Sequence, residues 1–323
     1  MGKLEEVLKI METVTASEDE KKKMKIWSHR GLSMNFPENT LISFTAAAEI
    51  PGNTGIELDV QRTSDGELVV FHDEKIDRVM NATGYIKDHT LSELQSYEFK
   101  KDADAPKRRA ELSANRPEIA ALYKKMIGNA VGAEWSELSD LPADAPERKY
   151  EEYDLHVRPF IPTMRQVLSA MKPYCDKDFK INIELKTSNV RYEGIEKEVY
   201  DLVNEFGLQK SIVYSSFLAD SIKIMKELDP SLETAMLADT LPNTIKLGDD
   251  EDPVKKCDGY HPHIAGVYGT EKLRTPGMII RAWNMEEPLY NSGKKLGSLD
   301  YRNFVSWGVT DVIINTAERY LLK

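Results

Sequence analysis

Cysteine, long apolar runs and surplus positive charge are all scarce in this chain of 323 residues. Its two cysteines, Cys175 and Cys257, make no disulfide framework and no cysteine-ligated metal centre, and read as reduced thiols. No apolar run approaches the ~20 residues that carry a helix across a bilayer, so stable membrane insertion is not expected. The N-terminal stretch MGKLEEVLKIMETV lacks the apolar core of a secretory signal. With 43 Lys and Arg against 54 Asp and Glu, the formal net charge of −11 excludes a general binder of nucleic acid or of anionic membranes. A small anionic substrate is not excluded, because it feels the local field of its pocket. The chain is therefore expected to be soluble, and cytoplasmic, or secreted or periplasmic if a leader has been trimmed. Neither composition nor charge speaks to oligomeric state.

What is present is material for a core. A hydrophobic content of 41% in a chain of this length supports one large α/β domain with additions, or two ordinary domains. Leu4, Val7, Leu8 and Met11 fall on one helical face and predict a short docking helix. SEDEKKKMK then reads as a solvated linker, with helix continuation as the alternative. From Ile26 onward, short apolar strands alternate with amphipathic segments. The strand candidates are IWSHR, GIELDV, KINIELK, SIVYSSF, ETAMLA, GYHPHI, MIIRAWN and TDVIIN. NTLISFTAAAEI, TMRQVLSAMKPY, EGIEKEVYDLVNEFG, LADSIKIMKEL and LDYRNFVSWG are the helical ones. This alternation implies a parallel sheet with crossover helices, and eight strands imply a closed (β/α)8 barrel.

One further run, ELVVFHD, follows GIELDVQRT after only Ser64-Asp65-Gly66, too short a link for a parallel crossover. Asp-Gly between alternating runs predicts a hairpin. With Asp65 and Gly66 as a two-residue turn, Ser64 faces Glu67 and the ladder sets His72 opposite Asp59; a bulge would shift that register. Residues 100–156 then break the rhythm. They hold one amphipathic helix, with Ile119, Leu122, Tyr123, Met126 and Ile127 on one face, between loop-like flanks DADAPKRR and SDLPADAPERKYEEYD. The expected organisation is an N-terminal helix and linker over 1–23, a barrel over 24–99 and 157–323, and an insertion over 100–156 near the barrel mouth. A surface excursion without a role is the alternative for that insertion.

Strands of a parallel barrel are normally apolar on both faces. Two strands here are not. In GIELDV, Ile56, Leu58 and Val60 share one face and Glu57 and Asp59 the other. In KINIELK, Ile181, Ile183 and Leu185 oppose Asn182, Glu184 and Lys186. If the apolar faces pack on helices, Glu57, Asp59 and Glu184 turn inward, toward the end where such barrels carry their active sites. Buried carboxylates cannot gather unaided: they take up protons, or something positive neutralises them. Three hard oxygen donors suit Mg²⁺ or Ca²⁺. A structural ion-pair network with Lys186 and Arg30 is the competing explanation. His29 and His72 can both give and take a proton near neutral pH, while Arg30 and Lys186 suit phosphate oxygens. A divalent ion, two cations and two imidazoles describe a site for phosphoryl chemistry. His261 and His263 read as structural, and His89 and His156 carry no signal.

Taken together these residues resemble the glycerophosphodiester phosphodiesterases. The family's motifs are spelled here by His29-Arg30-Gly31, Pro37-Glu38-Asn39-Thr40, Glu57-Leu58-Asp59, Thr63-Ser64-Asp65-Gly66, His72-Asp73 and Glu184-Leu185-Lys186, with SSF at Ser215–Phe217 and RAWNM around Trp283. The resemblance runs from about residue 26 to the C-terminus, the insertion excepted. It implies a (β/α)8 TIM barrel of the phospholipase-C-like phosphodiesterase type, with a cap segment inserted after the second-strand hairpin. It also implies one divalent cation, Mg²⁺ or Ca²⁺, on Glu57, Asp59 and Glu184, and acid–base roles for His29 and His72. Arg30 and Lys186 would contact the phosphate, and Phe217 and Trp283 would line the glycerol or head-group side unless they merely pack. The implied reaction releases an alcohol and sn-glycerol 3-phosphate from a small glycerophosphodiester, through attack by the substrate's own glycerol hydroxyl. Pro37 fits the first turn of a helix, so PENT would mainly shape the approach to that helix. At Ile314-Asn315-Thr316-Ala317 the family's usual Thr-Asp before a proline turn is absent, which touches substrate detail more than chemistry. The competing readings are a lyase of the same fold that turns lysophospholipids into a cyclic phosphate, a non-catalytic phosphodiester-binding homologue, and a membrane-remodelling partner recruited through the insertion.

Overall fold

The computed structural model describes residues 10–127, 149–150, 153–154, 159–249, 256–283 and 299–322. Nine strands form one sheet: β1 (Lys25–His29), β2 (Gly55–Arg62), β3 (Leu68–Val70), β4 (Lys180–Leu185), β5 (Ile212–Ser216), β6 (Glu233–Ala238), β7 (Gly259–Pro262), β8 (Ile279–Trp283) and β9 (Asp311–Ile314). All but β3 run parallel in the order β1-β9-β8-β7-β6-β5-β4-β2, and β2 pairs again with β1. The sheet closes into the expected (β/α)8 barrel. A two-residue pairing of 149–150 with 153–154 stands apart from it.

The described helices are α1 (Glu18–Lys21), α2 (Leu41–Ala48), α3 (Leu91–Ser96), α4 (Ala105–Ser113), α5 (Pro117–Ile127), α6 (Met164–Cys175), α7 (Ile195–Phe206), α8 (Ala219–Leu228), α9 (Leu241–Gly248) and α10 (Glu318–Leu321). Side-chain caps start several of them. Thr40 accepts from Ser43 N at α2, and Thr163 with Gln166 forms a capping box at α6. Gly207, in the left-handed region, ends α7. Ile56, Leu58, Val60, Ile181, Ile183 and Leu185 join the apolar layer between sheet and helices. That leaves the inner face of β2 and β4 to Glu57, Asp59, Asn182 and Glu184. Within the barrel, Trp27, Val213, Ala235 and Ile313 form a separate apolar plug.

Several local expectations change. The β2–β3 register is Val60↔Val70 and Arg62↔Leu68, so Phe71 rather than His72 meets Asp59. The turn is three residues, not two: Gly66 N–H donates to Thr63 O, Gly66 takes φ +90°, and Thr63 faces Glu67. A type I turn closed by a left-handed glycine inserts the bulge that moves the ladder by one. SEDEKKKMK contains α1, started by a Ser17–Glu20 capping box. DADAPKRR runs into α4, because proline is tolerated in a first helical turn. LDYRNFVSWG is a 3-10 helix over Tyr301–Trp307, while α9 lies where no helix was expected.

Helix α5 buries the five residues predicted for it. It packs on α2, and α4 drives Arg108 and Arg109 onto Met34 O and Asn35 O, in the loop after β1. The spacing at Leu4, Val7 and Leu8 lies outside the described residues, as do His156 and Asn284; Met11 is buried. No described helix is long and apolar enough to cross a membrane.

Candidate active site

β1 ends in His29, and the chain turns at once: Arg30 has φ +54° and Gly31 φ +78°. A Cβ on Gly31 would fall on the Ser43 side chain, within 2.7 Å of Ser43 O, so only glycine lets the turn lie against α2. The turn aims Arg30 N–H at Glu57 Oε2, 3.1 Å away. A strand ends in His-Arg-Gly here because its last residues belong to the barrel mouth. Pro37 is not in the first turn of α2; Thr40 caps that helix and donates to Pro37 O. The rest of PENT faces the site. Asn39, also left-handed at φ +57°, donates to Asp59 Oδ2 at 2.9 Å, and Glu38 lies 3.2 Å from Arg30 Nη1.

The parallel register sets His29, Glu57 and Asn182 in one row and Asp59, Glu184 and Ser215 in the next. Glu57, Asp59 and Glu184 each offer an oxygen, and these atoms lie within 4.8 Å of one another. All three are buried. Burial, reinforced by Asp59 and Glu184, pushes Glu57 well above the usual carboxylate range. Burial acts on Asp59 in the same direction, but His72, Lys186, Arg30 and the Asn39 hydrogen bond outweigh it and hold its carboxyl below its ordinary value. Lys186 Nζ is 2.9 Å from Glu184 and 3.7 Å from Asp59, and Arg30 Nε is 3.5 Å from Asp59. Burial opposes the Lys186 charge, yet Glu184 and Asp59 hold its pKa above the ordinary value.

The ion-pair network that competed with a cation is thus present, but it does not balance. Arg30, Lys186 and Arg78 face five carboxylates, those of Glu38, Glu57, Asp59, Asp73 and Glu184. Counted fully ionised, the set carries an excess of negative charge, which the raised Glu57 relieves by holding a proton and which a divalent ion would relieve instead. Asp59 Oδ1 is buried without a hydrogen-bond partner, as are both amide atoms of Asn182. Buried oxygens left unsatisfied beside two other carboxylates fit an oxygen-loving cation.

The two histidines are oriented from behind. His29 Nδ1 lies 2.7 Å from Asn315 Oδ1, and His72 Nδ1 lies 2.5 Å from Asp73 Oδ1. Both partners are acceptors, so each imidazole carries its proton on Nδ1 and keeps Nε2 for other work. Burial, then the Arg30 charge, pushes His29 down to about 3. His29, Arg30, Glu57, His72, Asn182 and Glu184 share the wall of a cavity of about 130 Å³ with Phe217 and Trp283. Those two rings meet edge to face, centroids 6.2 Å apart. His261 is buried against Arg281, and His263 accepts from Ala265 N–H and packs on Trp283.

Sequence reading gave no role to three residues at this site. Asn315 stood out only as a departure from pattern, yet it touches His29 rather than the substrate side. Asn182 showed itself on the polar face of KINIELK without a role, and it lines the cavity. Arg78 gave no signal at all.

A sequence model of the "Glycerophosphoryl diester phosphodiesterase family" matches residues 29–319. A glycerophosphodiester phosphodiesterase of Bacillus altitudinis is 30% identical over 91% of this chain and 96% of its own. One of Caldanaerobacter subterraneus is 34% identical over 67% of each chain. Among solved structures, an Oleispira antarctica phosphodiesterase in complex with the product sn-glycerol-3-phosphate has the same fold, with TM-score 0.58 and 21% identity over 92% of this chain and 94% of that one. A glycerophosphodiester phosphodiesterase from Agrobacterium tumefaciens, also at TM-score 0.58, is 18% identical over 92% and 99%.

Proposed function

The chain belongs to the glycerophosphoryl diester phosphodiesterase family and is a phosphoric diester hydrolase, and from that premise we propose that it cleaves glycerophosphodiesters to an alcohol and sn-glycerol 3-phosphate with one divalent cation and two histidines. The observation that carries this reading is the buried meeting of Glu57, Asp59 and Glu184 beside His29 and His72. The product bound by the Oleispira relative is the one proposed here. Glu57, Asp59 and Glu184 hold the cation; Mg²⁺ and Ca²⁺ both suit an all-oxygen set. When bound, it supplies fixed positive charge for phosphoryl oxygens as their own charge grows.

Arg30 and Lys186 anchor the phosphate and neutralise its remaining oxygens. The adjacent glycerol hydroxyl attacks phosphorus, a tethered nucleophile that avoids much of the entropy cost of a two-body encounter. One imidazole Nε2 takes the hydroxyl proton and the other protonates the departing alkoxide. Water then opens the cyclic phosphate with the two roles exchanged. Phe217 and Trp283 give the glycerol or head group an apolar wall. The barrel over 24–99 and 157–323 carries all of these residues, and the insertion over 100–156 is assigned no chemical step.

The test is purified protein, stripped of metal, against a panel of glycerophosphodiesters with Mg²⁺, Ca²⁺ or chelator, the products followed by phosphorus NMR. Linear glycerol phosphate appearing only with metal is expected. Accumulating cyclic phosphate would instead support the lyase, and full turnover under chelation would remove the cation from the account. His29→Ala and His72→Ala are each expected to cost at least about 10²–10⁴-fold in turnover while circular dichroism stays unchanged. Near-normal rates in either variant would refute the acid–base assignment.

A further inference from the structure

Arg78 lies in a 3-10 turn, Ile76–Arg78, just beyond the His72-Asp73 pair. Its guanidinium uses three nitrogens on two carboxylates. Nη1 and Nη2 donate to Glu38 at 2.8 and 2.6 Å, and Nε and Nη2 donate to Asp73 at 2.6 and 3.1 Å. Neither carboxylate is a bystander. Glu38 Oε1 also accepts from Arg30 Nη1, and Asp73 Oδ1 is the atom facing His72 Nδ1. An unbroken chain therefore runs Arg30, Glu38, Arg78, Asp73, His72, joining the loop after β1 to the loop after β3. The closed β1–β2 pairing brings the roots of both loops together, but among the described residues no backbone hydrogen bond joins the loop tips.

We propose that Arg78 is a positioning residue for the reaction: by forking Glu38 and Asp73 it fixes the His72 ring and the Arg30 guanidinium at their working distance from each other. The inference rests on the reading of His72 as one of the acid–base pair. The physical basis is geometric. Asp73 alone can rotate; held by two further donors, it presents one oxygen to Nδ1 and so sets both tautomer and ring plane, as the carboxylate does in a serine-protease triad. Glu38, bonded by both arginines, stays ionised: burial alone would raise its pKa, but Arg30 and Arg78 bring it down to about 2. An ordinary exposed ion pair would not couple two loops, and removing it would cost little. Arg78 differs because its two partners are themselves committed to site residues. Lysine cannot replace it, since a point charge cannot grip two carboxylates at once.

The experiment compares Arg78→Ala, Arg78→Lys and His72→Ala with the wild-type holoenzyme, using glycerophosphocholine and glycerophosphoethanolamine with saturating metal. Arg78→Ala is expected to lose about 10–100-fold in kcat, the range for groups that orient another catalytic residue, with KM changed far less. Added guanidinium ion, well below concentrations that unfold proteins, should restore part of that loss. Arg78→Lys should fall between Ala and wild type and should not respond to guanidinium. A lower melting temperature with unchanged kcat would make Arg78 a structural ion pair only and overturn the proposal. Should Arg78→Ala fail to fold, wild-type kcat in folded Arg78→Lys overturns it equally. If His72→Ala turns over normally, the underlying reading of the site fails with it. If His72→Ala is inactive and Arg78→Ala is normal, this inference alone fails.

Discussion

Glu38 illustrates how one side chain writes a pH dependence into the molecule. Its folded pKa of about 2 lies below the ordinary 4.5 because Arg30 and Arg78 outweigh burial. Below 4.5 the unfolded chain binds a proton that the folded one refuses. The stability Glu38 contributes is therefore complete above that value and is lost as pH falls toward 2. Glu38→Gln should be less stable than wild type near neutrality, with the gap closing near pH ~3. Urea midpoints at the two pH values measure it, and a gap of equal size at both would contradict the assignment. Glu57, Asp59 and Glu184 stood out in the sequence because carboxylates interrupt the apolar faces expected of a barrel strand. The partners of Glu38 did not. Arg78 stands 40 positions away and meets it only after the hairpin folds back.

Elements show the same division. The eight barrel strands could be read because each is a short apolar run and many are separated by amphipathic segments. Helix α5 could be read because five apolar residues fall on one face. Helix α9 was not expected at all, and the segment at Tyr301–Trp307, read as helical, is a 3-10 helix, a distinction that apolar spacing does not make. The hairpin register slipped by one because Gly66 closes a bulged turn, a choice that Asp-Gly does not disclose. Helix α5 also has an energetic role that can be measured. Tyr123 donates to the buried Glu318 at 2.9 Å, beside the Asn35 amide at 2.7 Å, tying α5 to α10 and to the loop after β1. Tyr123→Phe removes one of two donors and should cost about 1 kcal/mol in denaturant unfolding with turnover unchanged. At the other loop root, Gly31→Ala combines a left-handed φ with overlap on Ser43 and should cost at least about 2 kcal/mol and most of the activity. A stable, active Gly31→Ala would show that the turn is not held as described.

At the scale of the whole molecule, a net charge of −11 and a site for an anionic diester are compatible because the local count governs binding. Five carboxylates and three cations converge on the mouth, and a divalent ion there would offset the excess of carboxylates. A cation that binds only the folded chain must stabilise it, by about 2.7 kcal/mol at a hundred times its dissociation constant. Thermal unfolding with Mg²⁺ or Ca²⁺ should therefore shift upward, and the shift should vanish in Asp59→Asn. The most direct measurement is anomalous diffraction from a crystal soaked in Mn²⁺, a scattering substitute for either ion. A single strong peak among the side-chain oxygens of Glu57, Asp59 and Glu184 is the predicted result. A map with no peak there, or with the metal held elsewhere, would contradict the account.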